Sequence, residues 1–158
     1  DNEAHRQQLG RFKGIDKRKL HSYIKRQYRC LCAYGYQTGG IEMAKRRMFS
    51  LDVVDTDKFL NMPPSTQGLY YNLGMRADDD GFVSSPRKIA TISNCGIDDL
   101  NILISKGFLI PFESGVVVIT DWKANNYIPK DRYTPTRYKE EKARINEKDS
   151  VYELQTYI

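Results

Sequence analysis

Three consecutive carboxylates and a glycine, Asp78-Asp79-Asp80-Gly81 within "ADDDGFVSSPRKIA" (77–90), form the longest run of carboxylates in the sequence. Such a cluster could hold a divalent cation, supply acid–base groups, or build a turn. A calcium loop with Gly81 at its sixth position would place Arg76 first and Arg87 twelfth, where oxygen ligands and a bidentate glutamate are required. That reading fails. A two-metal nuclease centre needs carboxylates from other elements. Asp98 and Asp99 are available, but they stand where a helix begins and suit its dipole. The structural reading remains: aspartates accept backbone N–H bonds in a turn, and glycine lets the chain reverse.

Other catalytic chemistries find less support. The two histidines, His5 and His21, both lie before residue 43, so residues 43–158 offer none for a triad. Cys30, Cys32 and Cys95 are odd in number, and the first two are too close for an easy bridge. A reducing cytosol suits them, and C-x-C is not a zinc-finger spacing. Cys95 falls in a predicted turn without a neighbouring base and reads as a packed or semi-exposed structural thiol. A phosphate loop of the form G-x-x-x-x-G-K-S/T is absent. The expectation is a protein that is not an enzyme and takes no metal or cofactor.

Nucleic-acid chemistry is better represented. Lys45-Arg46-Arg47 could follow a phosphate backbone or a minor groove, although a solvated stretch explains it equally. Arg87 and Lys88 fall in the first turn of a predicted helix, where free N–H groups favour phosphate; an ordinary surface pair competes. Lys123, Lys130, Arg132, Arg137 and Lys139 interleave with Trp122, Tyr127, Tyr133 and Tyr138. Cations among aromatics suit single strands, whose bases stack. The competing reading has Trp122 and Tyr127 sealing a core.

The elements that must position these groups are short. "MFSLDVV" (48–54) reads as a strand or extended arm, and "DTDKFLNM" as a short helix capped by Asp55 or Thr56 and stopped by Pro63-Pro64. Ser65 should cap the helix "STQGLYYNLGMRA", whose buried face is Leu69, Tyr70, Leu73 and Ala77. "FV" (82–83) allows a strand stub. Ser85-Pro86 launches a helix burying Ile89, Ala90 and Ile92. "SNCG" turns into "IDDLNILISKG", with Ile97, Leu100, Leu103 and Ile104 inward and Gly107 as the stop. That helix leaves Asp98, Asp99, Asn101, Ile102, Ser105 and Lys106 outward. Asn101 could read adenine and Lys106 meet a phosphate, while the two acids repel phosphate. "FLIPFESGVVVITDW" is a hairpin around Glu113-Ser114-Gly115. "KANNYIPKDRYTPT" is a connector with room for one helical turn, 135–145 has high helix propensity, and "NEKDSVYELQTYI" has no strong pattern.

Helix, strand stub, helix-turn-helix and hairpin make the winged-helix layout. The expected fold class is α+β, mainly helical: a winged helix-turn-helix with a β-hairpin wing, a C-terminal helix and a basic N-terminal extension. Charge follows the same division. Residues 1–42 hold nine Lys/Arg and four Asp/Glu, whereas 43–158 hold sixteen of each. The block 49–128 has six Lys/Arg and ten Asp/Glu, net −4. Phosphate contacts supply most non-specific affinity, so helix 97–106 and the hairpin alone do not promise strong duplex binding. The apolar runs fall far short of a membrane span, and the N-terminus lacks the apolar stretch of a secretory signal.

Met43-Ala44-Lys45-Arg46-Arg47 reads like a protein start, and Gly39-Gly40 can be encoded as a ribosome-binding sequence just before it. Residues 1–42 are therefore expected to be a translated leader or an over-extended reading of the gene. The competing reading is a basic helical arm using Ile15, Leu20, Tyr23 and Ile24.

"RMFSLDVVDTDKFLNMP", "GLYYNLGMRADDDGFVSSPRKIA" and "KGFLIPFESGVVVITDWKANNYIPKDRYTPTRY" resemble the N-terminal domain of DnaD-like replisome organisers, replication-initiation proteins of phages and prophages of Gram-positive bacteria. The resemblance runs from about Met43 to Ile145. It implies a cytoplasmic protein in a bacterial host that binds origin DNA, duplex or single-stranded, self-associates, and recruits helicase-loading or initiator proteins. It further implies a winged-helix domain over 43–128 and, over 129–158, a connector and helix leading to a C-terminal domain. The alternative is a winged-helix transcriptional regulator reading duplex DNA through Asn101 and Lys106.

Overall fold

Prolines and glycines divide the chain into short elements, and the structure, a computed structural model describing residues 46–155, follows most of those divisions. The described residues form a mixed α+β fold of seven helices and five strands. Helix α1 is Leu51–Val54 and α2 is Asp57–Leu60. The extended reading of 48–54 is thus corrected at 51–54. The Ser50 hydroxyl accepts the Asp52 N–H and starts a helical turn, and Val53 buries against the core. This cap outweighs the weak β preference of "LDVV". Thr56 caps α2 through the Phe59 N–H, as expected.

Helix α3, Pro64–Arg76, starts one residue before Ser65, with Pro63 at the cap position and no side-chain cap. Ser65 is not its cap; the hydroxyl instead donates to Asp99 Oδ1 at 2.7 Å. The inward face is as read: Leu69, Tyr70, Leu73 and Ala77 are fully buried. Strand β1 is Phe82–Val83, α4 is Pro86–Ile92 and α5 is Ile97–Ser105. Ser85 occupies the cap position of α4 without a side-chain bond, and Gly107 ends α5 at φ +76°. Ile97, expected inward, is 49% exposed, because it opens the helix ahead of the packed turn at Leu100 and Leu103.

Strands β2 (Leu109–Pro111) and β3 (Val117–Ile119) form the expected hairpin, and β1 pairs antiparallel with β3. The sheet order is β1-β3-β2, with Phe82 opposite Val118 and Leu109 opposite Ile119. Beneath it, Phe59, Tyr70 and Phe108 meet edge to face at centroid distances of 5.2 to 5.7 Å. Helix α6 is the single turn Trp122–Asn125.

The C-terminal part departs from expectation. The helix read over 135–145 shrinks to α7, Lys139–Lys142, and the patternless tail forms a hairpin, β4 (Ile145–Lys148) and β5 (Val151–Leu154). Its two-residue turn holds Asp149 at φ +51° and Ser150 at φ +65°. A turn of this kind normally announces itself with Asn or Gly, so no signal marked it. Ile145 and Tyr152 bury in the core, and the Tyr152 N–H donates to the Thr120 carbonyl. Tertiary burial overrides the local helix preference of 143–145. Among the described residues no helix is long and apolar enough to cross a membrane.

Candidate nucleic-acid interface

The aspartate loop is a structural joint. Asp78 Oδ1 accepts the N–H groups of Asp80 and Phe82, closing the turn, and Asp78 Oδ2 accepts the Thr136 hydroxyl. Asp79 accepts from Arg47 at 3.0 Å and from the Thr134 N–H. Asp80, whose side chain is 1% exposed, accepts from Tyr133, the Thr136 N–H and Lys142. Burial pushes the Asp78 carboxyl above its ordinary pKa, with the Thr136 and backbone bonds opposing it. Burial alone would lower the Lys142 ammonium; its bonds to Asp80 and Tyr133 outweigh that and raise it. Every carboxylate here therefore already has donors from inside the fold. Among the described residues no group of three His, Cys, Asp or Glu is arranged to hold a metal.

Asp99 was expected on the outer face of α5 and is instead buried. It accepts the Thr66 and Ser65 hydroxyls and the Gly96 N–H, tying α5 to α3. The Thr66 hydroxyl first, then Ser65, holds its pKa below the usual aspartate value, against a smaller effect of burial. Of the two acids expected to repel phosphate, only Asp98 faces outward. Ile102 is likewise half-buried against the core. The Cys95 thiol is half-buried within 3.4 Å of the Ser65 and Ser93 carbonyls.

The expected cations separate into distinct groups. Lys45 lies outside the described residues, as does the whole 1–42 segment. Arg46 is exposed. Arg47 is not an available cation: its side chain is 4% exposed, bonded to Asp79 and the Ala77 carbonyl, and stacked 5.2 Å from the Trp122 ring. Arg87 and Lys88 are exposed in the first turn of α4, and Asn101 is exposed on α5. Lys106 is half-buried at the C-terminal cap of α5. The hairpin loop beside that helix carries no cation, and Ser114 in it donates to Glu141 at 2.7 Å.

The aromatic and basic segment behaves differently along its length. Trp122 seals the core, its indole N–H donating to the Asp79 carbonyl at 2.9 Å. Tyr133 packs on the aspartate loop, and the Lys123 amine lies 6.0 Å from its ring. Arg137 stacks 5.0 Å from Tyr138. Tyr127 does not seal the core: it is 82% exposed. Lys130 and Arg132 are also exposed, and Arg132 pairs with its neighbour Asp131, at 3.7 Å.

Two asparagines that sequence reasoning passed over hold this region in place. Asn125 Oδ1 accepts the Ser50 N–H, and its amide donates to the Tyr70 hydroxyl. Asn126 Oδ1 accepts the Met48 N–H at 2.9 Å. The arm 46–50 is thereby laid beside α6. Only their position in an Asn-rich connector hinted at this, since their partners lie 55 to 78 residues away.

A second surface is apolar. Leu51 is 72% exposed, and Met48, Leu60, Tyr71 and Met75 are exposed as well. The Phe49 ring stands edge-on to Tyr71, with centroids 5.0 Å apart, and fills the space above Gly74, where an added Cβ would come within 2.6 Å of it. Exposed apolar groups that lie together mark interaction surfaces, and the Phe49–Tyr71 contact brings the arm against α3.

Comparison with family models, with curated proteins and with solved structures finds no match to this chain.

Proposed function

We propose that the chain is a winged-helix module of a DNA-replication initiation protein, similar to DnaD-like phage replisome organisers. It self-associates and helps assemble helicase-loading or initiator proteins on origin DNA in the cytoplasm of a bacterial host. It works by binding rather than catalysis. One observation carries the reading: helix α3, strand β1, helices α4 and α5 and the β2–β3 hairpin follow in that order, with strands stacked β1-β3-β2. In that layout the second helix of the pair is the usual groove reader. The exposed apolar side around Leu51, Leu60 and Tyr71 supports self-association.

The regulator reading, in which α5 reads duplex DNA with Asn101 and Lys106, has less behind it. Asp98 is exposed at the N-terminus of α5, Lys106 is half-buried, and the hairpin loop has no cation. The test is light scattering on the intact chain across concentration, with duplex titration in parallel. The proposal expects a dimer or larger species that Leu51→Asp with Tyr71→Ser shifts toward monomer. A strict monomer at high concentration counts against it. Duplex binding with a steep salt slope, lost in Asn101→Ala with Lys106→Ala, would favour the regulator.

A further inference from the structure

We infer that the segment after α6 is a single-stranded nucleic-acid site in which Tyr127 is the stacking platform. This rests on the reading of the chain as a DNA-replication module and deepens it by naming the strand class. Tyr127 is the most exposed large apolar side chain among the described residues, at 82%. Its exposure is imposed by anchored neighbours on both sides. The Asn126 N–H donates to the Trp122 carbonyl, Asn126 Oδ1 holds the Met48 N–H, and Ile128 packs on the core. The ring is thus presented to solvent on a fixed backbone, which lowers the ordering cost of binding.

Cations follow it closely in sequence, and the basic arm is tied to its neighbour Asn126. Lys130 and Arg132 follow within five residues, and Arg46 stands two residues before Met48, on the arm bonded to Asn126. Residues 122–139 hold five Lys/Arg and one Asp, whereas 49–128 have the opposite balance. An open aromatic face with nearby cations suits an unpaired base and its phosphates. A duplex offers no such partner, because its bases are already stacked on one another.

The experiment is fluorescence anisotropy of the intact chain with labelled oligothymidylate, oligouridylate and a duplex of equal length, at several salt concentrations. Tyr127→Ala should weaken single-strand binding by about tenfold or more, while Tyr127→Phe, which keeps the stacking ring, should bind like the unaltered chain. Lys130→Ala with Arg132→Ala should flatten the log–log salt slope by about 1.4. The thymidylate and uridylate arms show whether DNA, RNA or both are taken. Thermal melting of the variants confirms that each is folded. Single-strand binding indifferent to Tyr127→Ala overturns the inference. Preference for duplex, lost with Asn101 and Lys106 rather than Tyr127, overturns it while leaving the DNA-binding reading intact. Binding to none of the three overturns both, and self-association then stands or falls on the light-scattering result.

Discussion

The loops 78–81 and 127–132 are both rich in groups that could do chemistry, and they use them in opposite ways. In the first, Asp78, Asp79 and Asp80 bond to residues from the arm and from the segment 133–142, and Trp122 backs the turn. In the second, Tyr127, Lys130 and Arg132 are exposed, Arg132 pairs with its exposed neighbour Asp131, and the loop is held by its backbone and by Asn126 and Ile128. The carboxylate run raised a metal site that the sequence reading set aside for a turn, and the basic, aromatic segment left single-strand binding and a sealed core at Tyr127 both open. What separates an available group from a structural one here is whether distant chain has already filled its bonding capacity.

Four variants would break or sharpen that contrast. Gly81→Ala should cost the most. Gly81 sits at φ +88°, and an added Cβ would lie 2.5 Å from Trp122 Cγ. Left-handed strain and overpacking together predict a loss of roughly 3 kcal/mol in urea unfolding. A loss no larger than that of an ordinary surface change would mean that Trp122 does not constrain the turn.

Asp80→Ala comes next. It strands Lys142, Tyr133 and the Thr136 N–H, and Lys142 is partly exposed, which moderates the cost. About 2–3 kcal/mol is expected by the same measurement. A value near zero would show that 133–142 is held by packing alone.

Asp78→Asn should be mild, since the amide oxygen can still accept the Asp80 and Phe82 N–H groups and its NH2 can donate to Thr136. Its pH dependence is the sharper readout. The native pKa of Asp78 is raised above 3.8, chiefly by burial, so the unfolded chain loses this proton first as the pH rises. The wild type therefore loses this contribution between pH 3.8 and its higher native pKa, and the variant does not. Urea midpoints measured across that window should move in favour of Asn with rising pH, and movement the other way would refute the assignment.

Tyr127→Ala should change the melting temperature least, corresponding to within about 0.5 kcal/mol. A loss on the scale of Asp80→Ala would place Tyr127 in the fold and erase the contrast.

Much of the fold was legible because it is locally encoded. The burial of Leu69, Tyr70, Leu73 and Ala77, the turn at Gly107 and the hairpin around Gly115 follow from periodicity and from residues that tolerate positive φ. The β4–β5 hairpin was not legible, since Asp149-Ser150 is a poor advertisement for its turn and Ile145 and Tyr152 gain their burial from β-sheet and core residues far upstream. Lys130 and Arg132 were readable from composition as candidate cations, and the structure leaves both exposed. The withdrawal of Arg47 was not readable, because Asp79 lies 32 residues away.

Local sequence was enough for the order of the elements from α2 to β3, for most apolar helix faces, and for the gathering of positive charge after Trp122. Those properties depend on neighbours within a turn or two. Folding in three dimensions settles that Arg46 is exposed and Arg47 closed, that Asp98 faces water and Asp99 does not, and that Trp122 is buried while Tyr127 is exposed. Each choice depends on which distant segment arrives to bond or cover the side chain. Burial and hydrogen bonding are set by neighbours in space, and the local pattern does not contain them.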